Sequence, residues 1–293
     1  MKVEGVGELD LLQRIMPYLA TQGFAITAGE DDSAVWNDHG SFTVASCDLA
    51  VEGIHFDLSW MSAEDAGWRA LALALGDLAA KGATPAWALT SVAVPRSWQV
   101  EDFVGLYKGL DALARAVGLS IVGGDMSAID GPAVLSISVV GRAVALPLAR
   151  SQAKPGWAVA VTGPLGSAAV ALRGHRPLRL VPRLEEGRRL NQAGLCCGDI
   201  SDGLLREMEK FAHASHAGCT IRAADIPLAE GATWQDALTS GEEAELVCVG
   251  PEEAIRRAGL RPLGVLTEAS TVNVVGADNV PLQLNVRGFD HFA

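Results

Sequence analysis

Aspartate recurs in this chain where its neighbours are apolar: EDDSAVW at 30–36, SCDLAVEGIHF at 46–56, LALGDLAAKGATP at 73–85, IVGGDMS at 121–127 and GDISDGL at 198–204. Strands and helix interiors disfavour aspartate, so its placement there needs a cause. Read singly, each has a local one: Asp31 or Asp32 caps a turn, Asp125 closes a GGD turn, and Asp199 and Asp202 cap a helix that begins near Gly203. Asp77 escapes that account because it stands inside a helix, and Asp48 ends one apolar run just before another. If these carboxylates converge, two of them about 4 Å apart repel by about 4 kcal/mol at an effective dielectric of about 20. Such a cluster requires cations. Hard oxygen ligands select Mg²⁺ or Ca²⁺, and Mg²⁺ completes its shell with water and substrate phosphate, which points to phosphoryl chemistry.

The frame around these segments is legible from periodicity. Ser62 and Asp65 read as an N-cap and its reciprocal partner for a helix over 63–81, with Trp68, Leu71, Leu75 and Leu78 on one face and Gly82 and Pro85 behind it. A second helix spans Ser97 to Gly118, with Phe103, Leu106, Leu110, Leu113 and Val117 at helical spacing. Strand signals occur at 43–49, 87–94, 119–122 and 133–145. The segment PLARSQAKPG, 147–156, interrupts the pattern, which predicts a boundary between domains 1–147 and 148–293. Beyond it come strands at 157–161, 220–223, 245–249 and 271–275, a glycine-rich turn at 163–166 with a short apolar helix, and a helix over 203–215.

Composition narrows the function classes. With 23 basic and 35 acidic residues in 293, a formal net charge of -12, the chain lacks the basic footprint of a nucleic-acid binder. No apolar run reaches membrane-spanning length, and MKVEGVGELD is not a secretory signal. Five cysteines without CxxC spacing predict free thiols in a reducing cytoplasm, with Cys196 and Cys197 as small apolar filler at a strand or turn. There is no GxxxxGK[ST], HRD or DFG. The GGD at 123–125, taken alone, reads as a turn.

The ordered series Asp31-Asp32, SCDLAVEGIHF, GDLAAKGATP, GGDMS, ARSQAKPG, DISDGL, SGEEAEL and GFDHF resembles the thiamine-monophosphate kinases, in the superfamily of aminoimidazole ribonucleotide synthetase and selenophosphate synthetase, over about Gly29 to Phe292. The resemblance implies a mixed α/β (α+β), two-domain synthetase-like fold. Its N-terminal domain dimerises through its sheet, and its C-terminal α/β domain closes the ATP cleft. The implied reaction is phosphorylation of thiamine monophosphate to thiamine diphosphate by ATP with several Mg²⁺ ions. By matching motifs, Asp32, Ser46, Cys47, Asp48, Asp77, Asp125, Asp199 and Asp202 would hold metal, with Asp48, Asp77, Asp125 and Asp199 carrying catalysis. Tyr107, Gly124, Asp125, Arg150 and Ser201 would contact ATP, and His55, Glu242 and Phe289 the thiamine substrate.

The chain departs from the family pattern at Glu30 (usually glycine), Cys47 and Met126 (threonine), Gly76 (serine), Lys81 (methionine) and Ala244 (tyrosine), with Glu243 where the family has aspartate. Cys47 and Met126 remove two hydroxyls near the metals, and Ala244 with Glu243 reshapes the thiamine pocket. Two rivals remain at this point: another ATP-using member of the superfamily, and a non-catalytic nucleotide or thiamine-phosphate binding protein.

Overall fold

Two sheets, each with helices packed on it, are built in succession along the chain. The computed structural model describes residues 2–3, 6–27, 31–284 and 288–292. The first sheet contains β1 (Ala34–Asp38), β2 (Ser41–Val51), β3 (Thr84–Pro95), β4 (Ser120–Ile129) and β5 (Val134–Ala143), in the order β1-β2-β5-β3-β4. All its pairings are antiparallel except β3 with β4. His39 and Gly40, both at positive φ, make the two-residue turn that sets the β1–β2 register.

Helices α2 (Ala63–Ala80) and α3 (Val100–Val117) pack against each other, and α2 lies on this sheet. The Ser62 side chain caps α2 by accepting from the Asp65 backbone N–H. Leu71, Leu75 and Leu78 are fully buried, as their spacing predicts. The helix is buried well beyond that face because it also meets the second half of the chain.

The second sheet runs β11-β8-β10-β6-β9-β7, from β6 (Ala158–Val161), β7 (Cys196–Asp199), β8 (Gly218–Arg222), β9 (Leu246–Gly250), β10 (Gly264–Thr267) and β11 (Val272–Val275). Around it stand α4 (Ser167–Arg173), α5 (Leu184–Gln192), α6 (Leu204–Ser215), α7 (Trp234–Thr239) and α8 (Glu252–Arg257), while α1 (Glu8–Ile15) precedes the first sheet. The fold is thus mixed α/β with two sheets. Contacts from α2 to α5, β7 and β9 bring the two halves together.

Two local expectations fail. GGD is not a turn: Gly123, Gly124 and Asp125 lie inside β4. A Cβ at Gly124 would sit 1.7 Å from the Thr90 carbonyl oxygen, so the glycine serves the close approach of β3 next to the register shift at Ala88/Leu89. Nor do Asp199 and Asp202 cap α6, whose N-cap is Gly203 with no side-chain cap bond. Cys196 and Cys197 are buried strand residues of β7, and all five cysteines are free.

Candidate functional site

A cavity of about 1080 Å³ is walled by β2, the segment after it, α2, α4, the segments that follow β7 and α7, and Phe289, His291 and Phe292. At its floor, Asp77 from the last turn of α2, Asp199 at the end of β7 and Asp32 just ahead of β1 place carboxylate oxygens within 4.8 Å of one another. Burial raises the pKa of Asp77 and Asp199 well above the carboxylate range, and the neighbouring carboxylates add to the shift. Asp48, on β2 in the same cavity, is pushed up to about 6 by burial and then by Asp32 and Asp202. Ser46 shares the Asp48 side of β2 and bonds to the Asp77 carboxylate, with its Oγ 3.0 Å from the Asp32 carbonyl oxygen.

The donor set fits a hard divalent cation. Asp32 Oδ2 is buried without a hydrogen-bond partner, and the surrounding groups are carboxylate and hydroxyl oxygens. Asp202 sits nearby, held by Lys210 Nζ at 3.0 Å, beside Ser201. Cys47 is different. Strand alternation sends its side chain to the opposite face from Ser46 and Asp48, with Sγ 3.4 Å from the hydroxyls of Ser136 and Ser138 on β5.

Farther along the cavity are the predicted substrate residues. His55 Nδ1 accepts from the Val51 backbone N–H at 3.1 Å, which leaves Nε2 as the protonated nitrogen of the neutral ring, and burial lowers its pKa. Its ring stacks on His291 at 5.3 Å, and His291 meets Phe289 edge-on at 4.7 Å. Phe289 N–H donates to the Asp202 carbonyl at 3.2 Å, which ties the C-terminal segment to the metal-proximal loop. Glu242 pairs with Arg69, whose Nε donates to the His55 carbonyl at 3.0 Å, and Glu242 Oε1 is buried without a partner.

The remaining predicted residues lie elsewhere. Tyr107, Gly124 and Asp125 line a second cavity, about 720 Å³, between α3 and β4. Asp125 is exposed there, accepts from the Met126 N–H at 2.9 Å, and does not join the Asp32–Asp77–Asp199 group within the chain. Arg150 is 3% exposed, and its guanidinium is shared among Asp31, Asp32 and Glu207. Its Nε is buried without a hydrogen-bond partner.

Of the departures, Gly76 leaves room for Asp199: a Cβ there would meet Asp199 Oδ2 at 3.0 Å. Glu243 is buried and accepts from the Gly166 and Ser167 backbone N–H groups and the Ser167 hydroxyl, so its longer side chain anchors the start of α4. Ala244 adopts a positive φ of 54° beside the core. Met126 is exposed, and Glu30 lies outside the described residues.

Sequence reasoning missed Arg69, Lys81, Glu207, Lys210 and His291. Arg69 carried a signal, since Arg69, Leu73 and Asp77 recur every fourth residue along the side of α2 that faces the cavity. Glu207 and Lys210 are an i,i+3 pair on α6, whereas Lys81 and His291 carried no short-range signal.

Comparison with known proteins gives the chain's relatives. The family described as AIR synthase related protein, N-terminal domain, matches residues 30–143. The thiamine-monophosphate kinase of Bacillus subtilis is 30% identical over 324 aligned positions, covering 97% of this chain and 99% of its own length. That of Methanopyrus kandleri is 33% identical over 294, covering 92% of each. The solved structure of AaThiL complexed with AMPPCP and TMP aligns over 100% of this chain and 99% of that one, with a TM-score of 0.88 at 25% identity. Similarity at this level along nearly the whole length places the chain in the thiamine-monophosphate kinase family.

Proposed function

We propose that this chain phosphorylates thiamine monophosphate to thiamine diphosphate, using ATP as donor and Mg²⁺ held by the carboxylates of the cavity floor. The observation that carries the reading is the convergence of Asp32, Asp77 and Asp199 in one cavity with His55, Glu242 and Phe289. The relatives' activity and the nucleotide analogue in the AaThiL complex support the same donor and acceptor. Bound to Asp32, Asp77 and Asp199 with oxygens from Ser46, Asp48 and Asp202, Mg²⁺ would neutralise the charge of donor and acceptor phosphates and allow in-line transfer.

The chain's own side chains position and select. Glu242 offers a buried carboxylate oxygen to the cationic ring system of thiamine, with Arg69 fixing its orientation. Phe289 presents a π face suited to a thiazolium cation. No general base is required, because the acceptor oxygen is already anionic, and catalysis is positioning and charge neutralisation. In this reading Ser201, which lines the cavity, contacts the phosphates of ATP, and Tyr107, Gly124 and Asp125 contact ATP from the β4 side.

We assign dimerisation and most of the metal and ATP ligands to 1–147, with Asp199, Ser201 and Asp202 contributed from 148–293. Strand β4 is an exposed edge carrying Val122 and Met126, 60% and 68% exposed, with Leu89 exposed on its neighbour β3, and a symmetric dimer through this edge would cover it. No helix among the described residues is long and apolar enough to cross a membrane, and the free thiols fit a reducing cytoplasm.

A coupled assay with ATP, Mg²⁺ and thiamine monophosphate should yield thiamine diphosphate. Equal rates with unphosphorylated thiamine, or binding of both ligands without turnover, would overturn the reading. Light scattering should give about twice the 30.6 kDa chain mass, and a fully active monomer would exclude the dimer.

A further inference from the structure

Lys210 stands on α6 about two turns beyond Asp202, and its side chain lines the cavity. Helix side chains lean toward the N-terminus, so the stem runs back along α6 and brings Nζ to Asp202 Oδ2 at 3.0 Å. The same ammonium bonds Glu207, whose side chain is fully buried and also accepts from the Arg150 guanidinium at 2.7 Å. Glu207 therefore has a second cation. Among the described residues Asp202 pairs with no other, and its Oδ2 meets only the Ser201 hydroxyl besides, at 3.4 Å. The side chains of Lys210 and Asp202 are 25% and 17% exposed, so the pair is open to the cavity and Glu207 is not.

Burial acts to lower the pKa of Lys210, but Glu207 and Asp202 outweigh it and keep the ammonium charged. Its charge also opposes the upward push that burial and like charges exert on Asp48 and Asp199. A monovalent cation thus already does, at the edge of the carboxylate cluster, part of what a divalent one would do within it. The two cannot share Asp202 at full strength, because Mg²⁺ on that carboxylate would set like charges side by side. Repulsion would then turn the ammonium away from Asp202, with Glu207 as its tether. An ammonium carries three donors, and the anions that arrive with the metal are the phosphates of ATP, beside Ser201 in the reading above.

We infer that Lys210 holds the place of a cation on Asp202 in the metal-free protein and contacts a phosphate of ATP once the metal takes that carboxylate. The inference rests on the reading of Asp202 as a Mg²⁺ ligand and of ATP as the donor. It gives one side chain two opposed effects: Lys210 competes with Mg²⁺ alone and assists the nucleotide that the metal brings.

The test is a pair of calorimetric titrations of the full-length protein, one with Mg²⁺ alone and one with the non-hydrolysable analogue AMPPCP at saturating Mg²⁺. Lys210→Met should bind Mg²⁺ about tenfold more tightly, the order expected for removing one positive charge beside the site. It should bind AMPPCP about tenfold or more weakly, as losing a hydrogen bond from a charged group does. Lys210→Gln, which removes the charge and keeps a donor, should shift the Mg²⁺ affinity in the same direction and serves if the methionine variant does not fold. A role in packing alone would lower the melting temperature and weaken both ligands together. Mg²⁺ affinity that is unchanged or lower in a folded variant, or AMPPCP affinity that does not fall in Lys210→Met, overturns the inference. A parent that binds no Mg²⁺ overturns the metal reading and the inference with it. Crossed shifts in a protein that forms no thiamine diphosphate would support the inference and count against the acceptor alone.

Discussion

Two layers of buried carboxylates stand back to back in this molecule, and they behave oppositely. In the rear layer, burial acts to raise the pKa of Asp31, but Lys81 and Arg150 outweigh it and hold the group below its ordinary value. In the front layer, Asp77 and Asp199 are as deeply buried, and burial with like-charged neighbours drives them up. Exposure does not distinguish the layers: Asp31 is 7% exposed, and Asp77 and Asp199 are 8% exposed. The difference is the cation within reach. The rear layer is complete in the protein itself, whereas the front layer stores repulsion that a bound cation would relieve.

The largest effect expected from breaking this contrast is in the rear layer. Arg150→Met leaves Asp32 without its cation and takes one from both Asp31 and Glu207, so the metal-free protein should lose about 3–5 kcal/mol in urea unfolding. A loss no larger than that of a surface substitution would show that the network does not stabilise the fold.

Asp77→Asn attacks the front layer and should have the opposite sign for stability. The metal-free variant should melt at the same or a higher temperature, gain less from Mg²⁺ and ATP than the parent, and lose about 100-fold or more of the kinase rate. Full turnover, or stabilisation by Mg²⁺ and ATP equal to the parent's, would remove Asp77 from the site.

A smaller effect should appear in the pH dependence of the metal-free protein. The folded-state pKa of Asp48, about 6, lies above the ordinary carboxylate value of 3.8, so its contribution to stability is fully present below that ordinary value. That contribution is lost as pH rises through about 6. The melting temperature of the parent should fall over this window more steeply than that of Asp48→Asn, and identical slopes would contradict the shift. The smallest effect belongs to an exposed pair far from either layer: Glu252→Gln, which unpairs Arg256, should change stability by about 0.5 kcal/mol or less.

Much of the front layer was legible in the linear order of residues. Asp77 could not be a cap, because the helix pattern with Leu71, Leu75 and Leu78 continues through it, and that misfit alone pointed to a cluster. The GGD segment was misread because its glycines answer to Thr90 on a neighbouring strand, not to their own backbone. Asp199 and Asp202 looked like caps since a helix does begin just after them, yet Gly203 starts it and both carboxylates turn to the cavity.

By itself, the sequence determined the helix that carries Asp77 and the strand that carries Asp48, because periodicity and capping act over a few residues. It also carried enough ordered motifs to indicate the family. Only the tertiary structure decided which carboxylates are neutralised and which are left to a ligand. Arg150 lies 119 positions from Asp31 and 57 from Glu207, and the choice between partners depends on which helix ends packing brings together. Charge pairing in a buried site is a property of distance and desolvation in space, and neither is written in local sequence.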